Sequence, residues 1–275
     1  MKRSFAVVTD STADLPDEWR DRYGIEVVPL KVLFGKETFR DRVDITDEEF
    51  FRRLSTATSL PTTSAPSPGE FAEVYRRLAR DYDGCISIHI GAQLSATAEA
   101  ARVGASSVER FKVNVVDSET VSMPIAFLCR TAAECPTLED ATASVQQRVA
   151  KCRVLALLDT LRYLEMGGRL SRAQAMIGTM LDLKPLLLVV DREIKPVDRV
   201  RTRSRAITRM VEFFRSDLPV ERIAVMHAQA ADEAEDIAGR LRSDFPDQEV
   251  SVGQIGCVLG THTGPKALGI VYIKR

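Results

Sequence analysis

Along the first 150 residues, short unbroken apolar runs alternate with stretches in which apolar side chains recur every three or four positions. "SFAVVT", "GCISIHI" and "KVNVVD" read as strands buried on both faces. Between them, "PDEWRDRYG" reads as a helix ending at Gly24, and "IEVVPLKVLF" with "ETFRD" as extended chain around Gly35. Thr46-x-x-Glu49 has the form of a capping box and opens a helix at "DEEFFRRLSTA". Ser67-Pro68-Gly69-Glu70 adds a proline at the first helical position, which fixes a second helix start. "SATAEAARVGASSV" is a further helix, and helices continue through "ATASVQQRVAKC". Strands alternating with helices predict a parallel sheet, in which ligands bind beyond the carboxyl ends of the strands. The loops "DSTADLP", "HIGAQLSAT" and "DSETVS" occupy those ends.

The pattern changes after about residue 150. "RVLALLDT" reads as a strand and "LRYLEMGG" as a short helix stopped by Gly167-Gly168. Ser171-x-x-Gln174 is another capping box, opening "RAQAMIGTMLDL", whose segment Ala173 to Leu181 carries no charge and is expected to be buried on most sides. "PLLLVVDREIKPVDRV" reads as two strands around a turn at Asp191 to Glu193, and helices and hairpin-capable strands follow to the C-terminus. The fold class is therefore α/β with two domains: an N-terminal parallel-sheet α/β domain over 1-150 and a C-terminal α+β domain over 151-275.

Composition narrows the function classes. The chain has 275 residues, 45% hydrophobic and 28% charged, with a formal net charge of −1. That is ordinary for a globular protein and gives no global field for nucleic acid, so no nucleic-acid partner is expected. Five cysteines, an odd number without C-x-x-C, argue against a disulfide framework and for a reducing, cytoplasmic location. The N-terminal apolar run is too short for a signal peptide, and no run approaches a membrane span. G-x-G-x-x-G after a strand, the Walker loop and G-x-S-x-G are missing, and the three histidines lack metal-ligand spacing, so neither a nucleotide cofactor nor a metal is expected.

What remains are hydroxyl-rich loops at helix N-termini: Ser11 and Thr12, Thr62 to Ser64, and Ser95 with Thr97. Helix N-termini accept carboxylates and phosphates, and hydroxyls add rotatable donors, although for any single loop capping is the better reading and only the three together favour a site. Arg169 follows the Gly167-Gly168 stop and His262 sits in "GTHTGPKALG". His89 and His227 lie in apolar strands, where a hydrogen-bonded structural histidine is the commoner case. Arg199, Arg201, Arg203 and Arg205 alternate, and in a strand would share one face.

Taken in order, "VVTDSTADLP", "TTSAPSPGEF", "LSATAEAA", "VVDSETVS", "LRYLEMGGRLS", "LDLKPLL", "VRTRSRAI" and "IGCVLGTHTGPKALGI" span nearly the whole chain and resemble the DegV family of bacterial lipid-binding proteins. The resemblance implies a fatty acid such as palmitate in a tunnel between the two domains. It implies a partner, the catalytic subunit of a fatty acid kinase, which phosphorylates the presented carboxylate with ATP to an acyl phosphate that feeds phospholipid synthesis. It implies carboxylate contacts at Thr63, Ser95, His262 and Arg169, with Ser11, Ser64 and Thr261 as supporting hydroxyls. Met176, Ile177 and Met180 would wall the tunnel. Arg201 and Arg203 would dock the partner, and a transient membrane-surface contact would serve delivery. No stand-alone catalysis and no cofactor are expected. The alternatives are a passive lipid-storage or sensing protein and a hydrolase using Ser95 and His262. The chain departs from the family pattern at Ala65, Ala96 and Lys266, where Gln, Gly and Gly are usual.

Overall fold

The computed structural model describes residues 3–170 and 183–275. A four-stranded parallel sheet is formed by β1 (Phe5–Asp10), β2 (Ile25–Val28), β6 (Gly84–His89) and β7 (Lys112–Asp117), in the order β2-β1-β6-β7. Beside it, β3 (Lys31–Phe34), β4 (Glu37–Arg40) and β5 (Thr62–Ser64) make a small antiparallel sheet centred on β3. The remaining strands are β8 (Cys152–Leu157), β9 (Lys184–Val190), β10 (Glu193–Val200), β11 (Val220–His227), β12 (Val250–Gln254) and β13 (Leu268–Lys274). They form a mixed six-stranded sheet in the order β10-β9-β8-β13-β11-β12, parallel only between β11 and β12.

The two-residue period of each strand divides the core into layers. In β1, Phe5 and Val7 enter one apolar cluster and Ala6 and Val8 another. In β13, Val271 and Ile273 enter that same first cluster, while Ile270 and Tyr272 enter a third. The first cluster thus takes one face from each large sheet and lies between them. The other two clusters lie outside. One is covered by α3 (Pro68–Leu78) and α4 (Thr97–Ser106), through Phe71, Tyr75 and Ala101. The other is covered by α8 (Arg203–Ser216) and α9 (Ala231–Asp244), through Met210, Phe214 and Leu241.

Local chemistry sets the boundaries. Thr46 and Ser67 cap α2 (Asp47–Thr56) and α3 through their side chains, and the full reciprocal box forms at Ser67 and Glu70. Asp191 and Arg192, both at positive φ, make the tight turn that pairs β9 with β10. Residues 62–64, read from sequence as a loop, form β5 because Thr63 pairs with Val32 on β3. The Ser171 capping box lies outside the described residues. His89 is the expected structural histidine: its Nδ1 pairs with Asp10 Oδ2 at 2.9 Å and its Nε2 with Ser87 Oγ at 2.7 Å. His227 is buried, its Nδ1 accepting a long bond from the Ala230 N–H.

The arginine alternation does not make one strand face. β10 ends at Val200 and α8 begins at Arg203, so Arg203 and Arg205 belong to a helix. Arg203 is held by both oxygens of Glu233 at 2.7 Å and donates to the Lys266 carbonyl at 2.8 Å, whereas Arg201 is exposed.

Candidate functional site

Between the two large sheets, the first cluster encloses a narrow cavity, with about 130 Å3 open to the centre of a water-sized sphere. Val154, Leu187, Val189 and Val271 line it from the six-stranded sheet, each at an inward position of its strand. Leu30, Ile90 and Val121 close it from the N-terminal side. None of these was singled out in the sequence, although the alternation of β8, β9 and β13 marks which of their residues share a face.

Thr63, Ser95, Arg169 and His262 all line this cavity. They come from β5, the loop before α4, the segment after α7 (Arg162–Met166), and α10 (Cys257–Thr263). Thr63 Oγ1 lies 3.0 Å from His262 Nε2. The ring's other nitrogen, Nδ1, is buried without a hydrogen-bond partner among the described residues. Gly167 packs on that side so closely that a Cβ there would stand 2.3 Å from Nδ1. Burial, aided by the positive charge of Arg169, pushes the His262 pKa down to about 4, so the ring is neutral at pH 7. An unpaired lone pair facing a C–H is cheaper to bury than an unpaired N–H. The favoured tautomer therefore carries its proton on Nε2 and donates to Thr63. That leaves the Thr63 hydroxyl hydrogen free to donate into the cavity.

Ser95 has two tasks. Its Oγ accepts from the Thr97 backbone N–H at 3.3 Å and contacts the Thr97 hydroxyl at 2.8 Å, so it braces the turn leading into α4 while facing the cavity. Its recorded partner is Thr97, and His262 is paired with Thr63, so the nucleophile and base of a Ser95–His262 hydrolase are not joined. Arg169 is exposed at the rim, its guanidinium held by the carbonyls of Leu94 at 3.3 Å and Gly167 at 2.6 Å. It has no acidic partner among the described residues.

The three supporting hydroxyls do not reach this cavity. Ser11 is buried and accepts from the Leu30 N–H at 3.1 Å. Ser64 is exposed, because strand alternation turns it away from the side Thr63 occupies. Thr261 is buried and donates to the Cys257 carbonyl at 3.0 Å, one helical turn back. Met176, Ile177 and Met180 lie outside the described residues. Of the three departures, Ala65 lines the cavity, while Ala96 and Lys266 are exposed. Lys266 adopts a φ of +61°, a conformation in which a glycine would be unstrained. Gly264, two residues earlier, also has positive φ, and its missing Cβ would stand 2.3 Å from the Tyr163 ring.

An apolar slot with neutral hydroxyl donors, a neutral imidazole and one rim arginine at one end suits an amphiphile with a small anionic head. Among the described residues, no helix is long and apolar enough to cross a membrane, and all five cysteines are free.

Comparison with known proteins points the same way. Residues 4–275 match the profile of the DegV family, described as a family of uncharacterised proteins. Protein DegV of Bacillus subtilis is 37% identical over 98% of this chain and 99% of its own length. A DegV domain-containing protein of Streptomyces coelicolor is 39% identical, with both chains fully covered. The crystal structure of Bacillus subtilis DegV, described as a fatty acid binding protein, superposes with a TM-score of 0.91 at 35% identity, covering 100% of each chain. A Thermus thermophilus DegV family protein, described by its fatty acid binding, gives 0.90 at 31% identity, covering 99% of this chain and 100% of its own. On the match over nearly its whole length, this chain belongs to the DegV family.

Proposed function

We propose that this protein binds a long-chain fatty acid in the cavity between its sheets and presents the carboxylate to a fatty acid kinase subunit. That subunit phosphorylates it with ATP to an acyl phosphate for phospholipid synthesis. The observation that carries the reading is the convergence of Thr63, Ser95, Arg169 and His262 on one apolar cavity. The fatty acid binding described for the Bacillus and Thermus relatives supports it.

The energetics are adequate. An acyl chain of about 15 methylenes gains roughly 12 kcal/mol on burial, enough to exceed typical association costs. The carboxylate opposes burial unless it is hydrogen-bonded. Thr63 donates to it with its own proton directed by His262, and Ser95 supplies a second hydroxyl. Arg169 offsets charge at the rim, where the head group meets water. A phosphorylated head is more anionic, so the same donors serve substrate and product. ATP and its metal belong to the partner, and the binding subunit contributes positioning. Arg201, exposed just before α8, is the docking contact on this reading. Arg203 shapes that surface through its pair with Glu233. We assign the protein to the cytoplasm, in two domains meeting near residue 150, with transient membrane contact for delivery.

The test is extraction of the purified protein under denaturing conditions, with mass spectrometry of the released lipid. Stoichiometric free fatty acid is the expected result. Failure to retain any after exposure to fatty acid overturns the proposal. Adding a fatty acid kinase subunit and ATP then separates presentation from storage, because only presentation gives acyl phosphate.

A further inference from the structure

A second cavity, with about 630 Å3 open by the same measure, lies at the carboxyl end of β1. Asp10, Asp14, Asp17, Glu26, Asp41 and Asp47 line it, against Arg20 and Arg42. At its wall, ligand atoms of Asp41 and Asp47 and the sulfur of Cys257, a buried residue just behind the lining, all lie within 4.8 Å of one another. Asp47 is the first residue of α2 and Cys257 the first of α10. Cys257 Sγ already stands 3.4 Å from Asp47 Oδ1.

An acidic cluster alone signifies little, because ion pairs satisfy most carboxylates. Asp47 is satisfied in that way: Arg42 Nη2 stands 3.0 Å from its Oδ2, with Nε 3.4 Å from Oδ1. Asp41 is different. It is 2% exposed, and neither of its buried carboxylate oxygens makes a well-formed hydrogen bond among the described residues, although the Ser11 hydroxyl and the Cys257 thiol stand close by. A cation bound there satisfies both oxygens at once.

We propose that Asp41, Asp47 and Cys257 bind a divalent transition-metal cation of the zinc type. The donor set selects the class. Calcium and magnesium take oxygen ligands, whereas a thiolate beside two carboxylates suits zinc or cobalt. In a tetrahedral zinc site, donors sit about 3.3–3.5 Å apart. The sulfur–Asp47 separation meets this, and Asp41 lies within 4.8 Å of both. The thiol proton leaves to solvent as the metal–sulfur bond forms, so binding tightens as pH rises. Water from the cavity fills the remaining position. The cation fastens the β4–α2 loop to the start of α10, the helix that carries His262.

The experiment uses the full chain, dialysed against chelator, with cobalt(II) alone and then zinc(II) alone as probes. One equivalent of cobalt is expected to bind and give a near-ultraviolet thiolate charge-transfer band, which zinc abolishes by displacement. Cys257→Ser should remove the band, Asp41→Asn should weaken binding about tenfold or more, and Cys135→Ser should keep both. Circular dichroism confirms that each variant is folded. Binding without the band, a band that survives Cys257→Ser, or no stoichiometric binding overturns the proposal.

Discussion

The apolar cavity between the sheets and the acidic cavity beside β1 share a wall. Ser122 lines the first and donates at 2.6 Å to Asp14, which lines the second. Burial acts on both sides of that wall. It pushes His262 down to about 4 and, opposed by Arg42, Ser122 and the Gly256 N–H, pushes Asp14 up to about 7. On the apolar side the outcome is a polar end whose groups are neutral apart from a rim arginine. On the acidic side six carboxylates face two guanidinium groups, and Asp41 makes no well-formed hydrogen bond among the described residues. On the two proposals above, one cavity receives an anionic head with its chain and the other a cation.

The strongest way to break this contrast is to put a carboxylate into the apolar wall. Leu187→Glu, at a side chain 2% exposed, should cost about 4 kcal/mol or more and abolish fatty acid binding. Denaturant unfolding and a fatty acid displacement assay read the two losses. Next in size is the pH response of His262. Its folded pKa lies below the unfolded value, so the unfolded chain binds the extra proton. Stability is retained above pH 6.5 and falls between 6.5 and about 4, by about 3 kcal/mol. His262→Gln should flatten that part of the unfolding-versus-pH curve.

Thr63→Val removes the hydroxyl that His262 directs while keeping the β-branched shape. Fatty acid binding should weaken about five- to tenfold, measured by calorimetry, and stability should fall by about 1 kcal/mol as the His262 Nε2 proton loses its acceptor. On the acidic side the sign reverses. In metal-free protein, Asp41→Asn removes a carboxyl whose charged form burial disfavours and should raise Tm by about 2 °C. The smallest effect belongs to Arg169→Gln. Arg169 is exposed and screened by solvent, so fatty acid affinity should fall only about two- to threefold, and less at high salt.

The two cavities also differ in how far the sequence revealed them. The parallel sheet, the capped starts of α2 and α3 and the β9–β10 turn were legible, because each rests on residues near in sequence. Thr63, Ser95, Arg169 and His262 were reached through family resemblance, since up to 199 positions separate the partners of a single hydrogen bond. Ser11, Ser64 and Thr261 show the limit of that route. A hydroxyl beside a site residue can face the other side of its strand or bond back along its own helix. The acidic cavity was missed altogether. Asp14, Asp41 and Asp47 read singly as a loop residue, the end of an extended segment and the start of a helix, and the surroundings of Asp41 depend on segments that meet only in the fold.

Gly167 and Gly264 carry a consequence for how such a protein changes over generations. Every missense change of a glycine codon adds a Cβ. At these positions that atom would meet the His262 ring or the Tyr163 ring at 2.3 Å. The aliphatic wall is under no such restriction, since one methyl more or less reshapes the slot without moving its polar end. On the proposed function, descendants can therefore drift in the lipids they prefer through Val154, Leu187 or Val271. The two glycine codons stay closed to variation, and with them the setting of the imidazole.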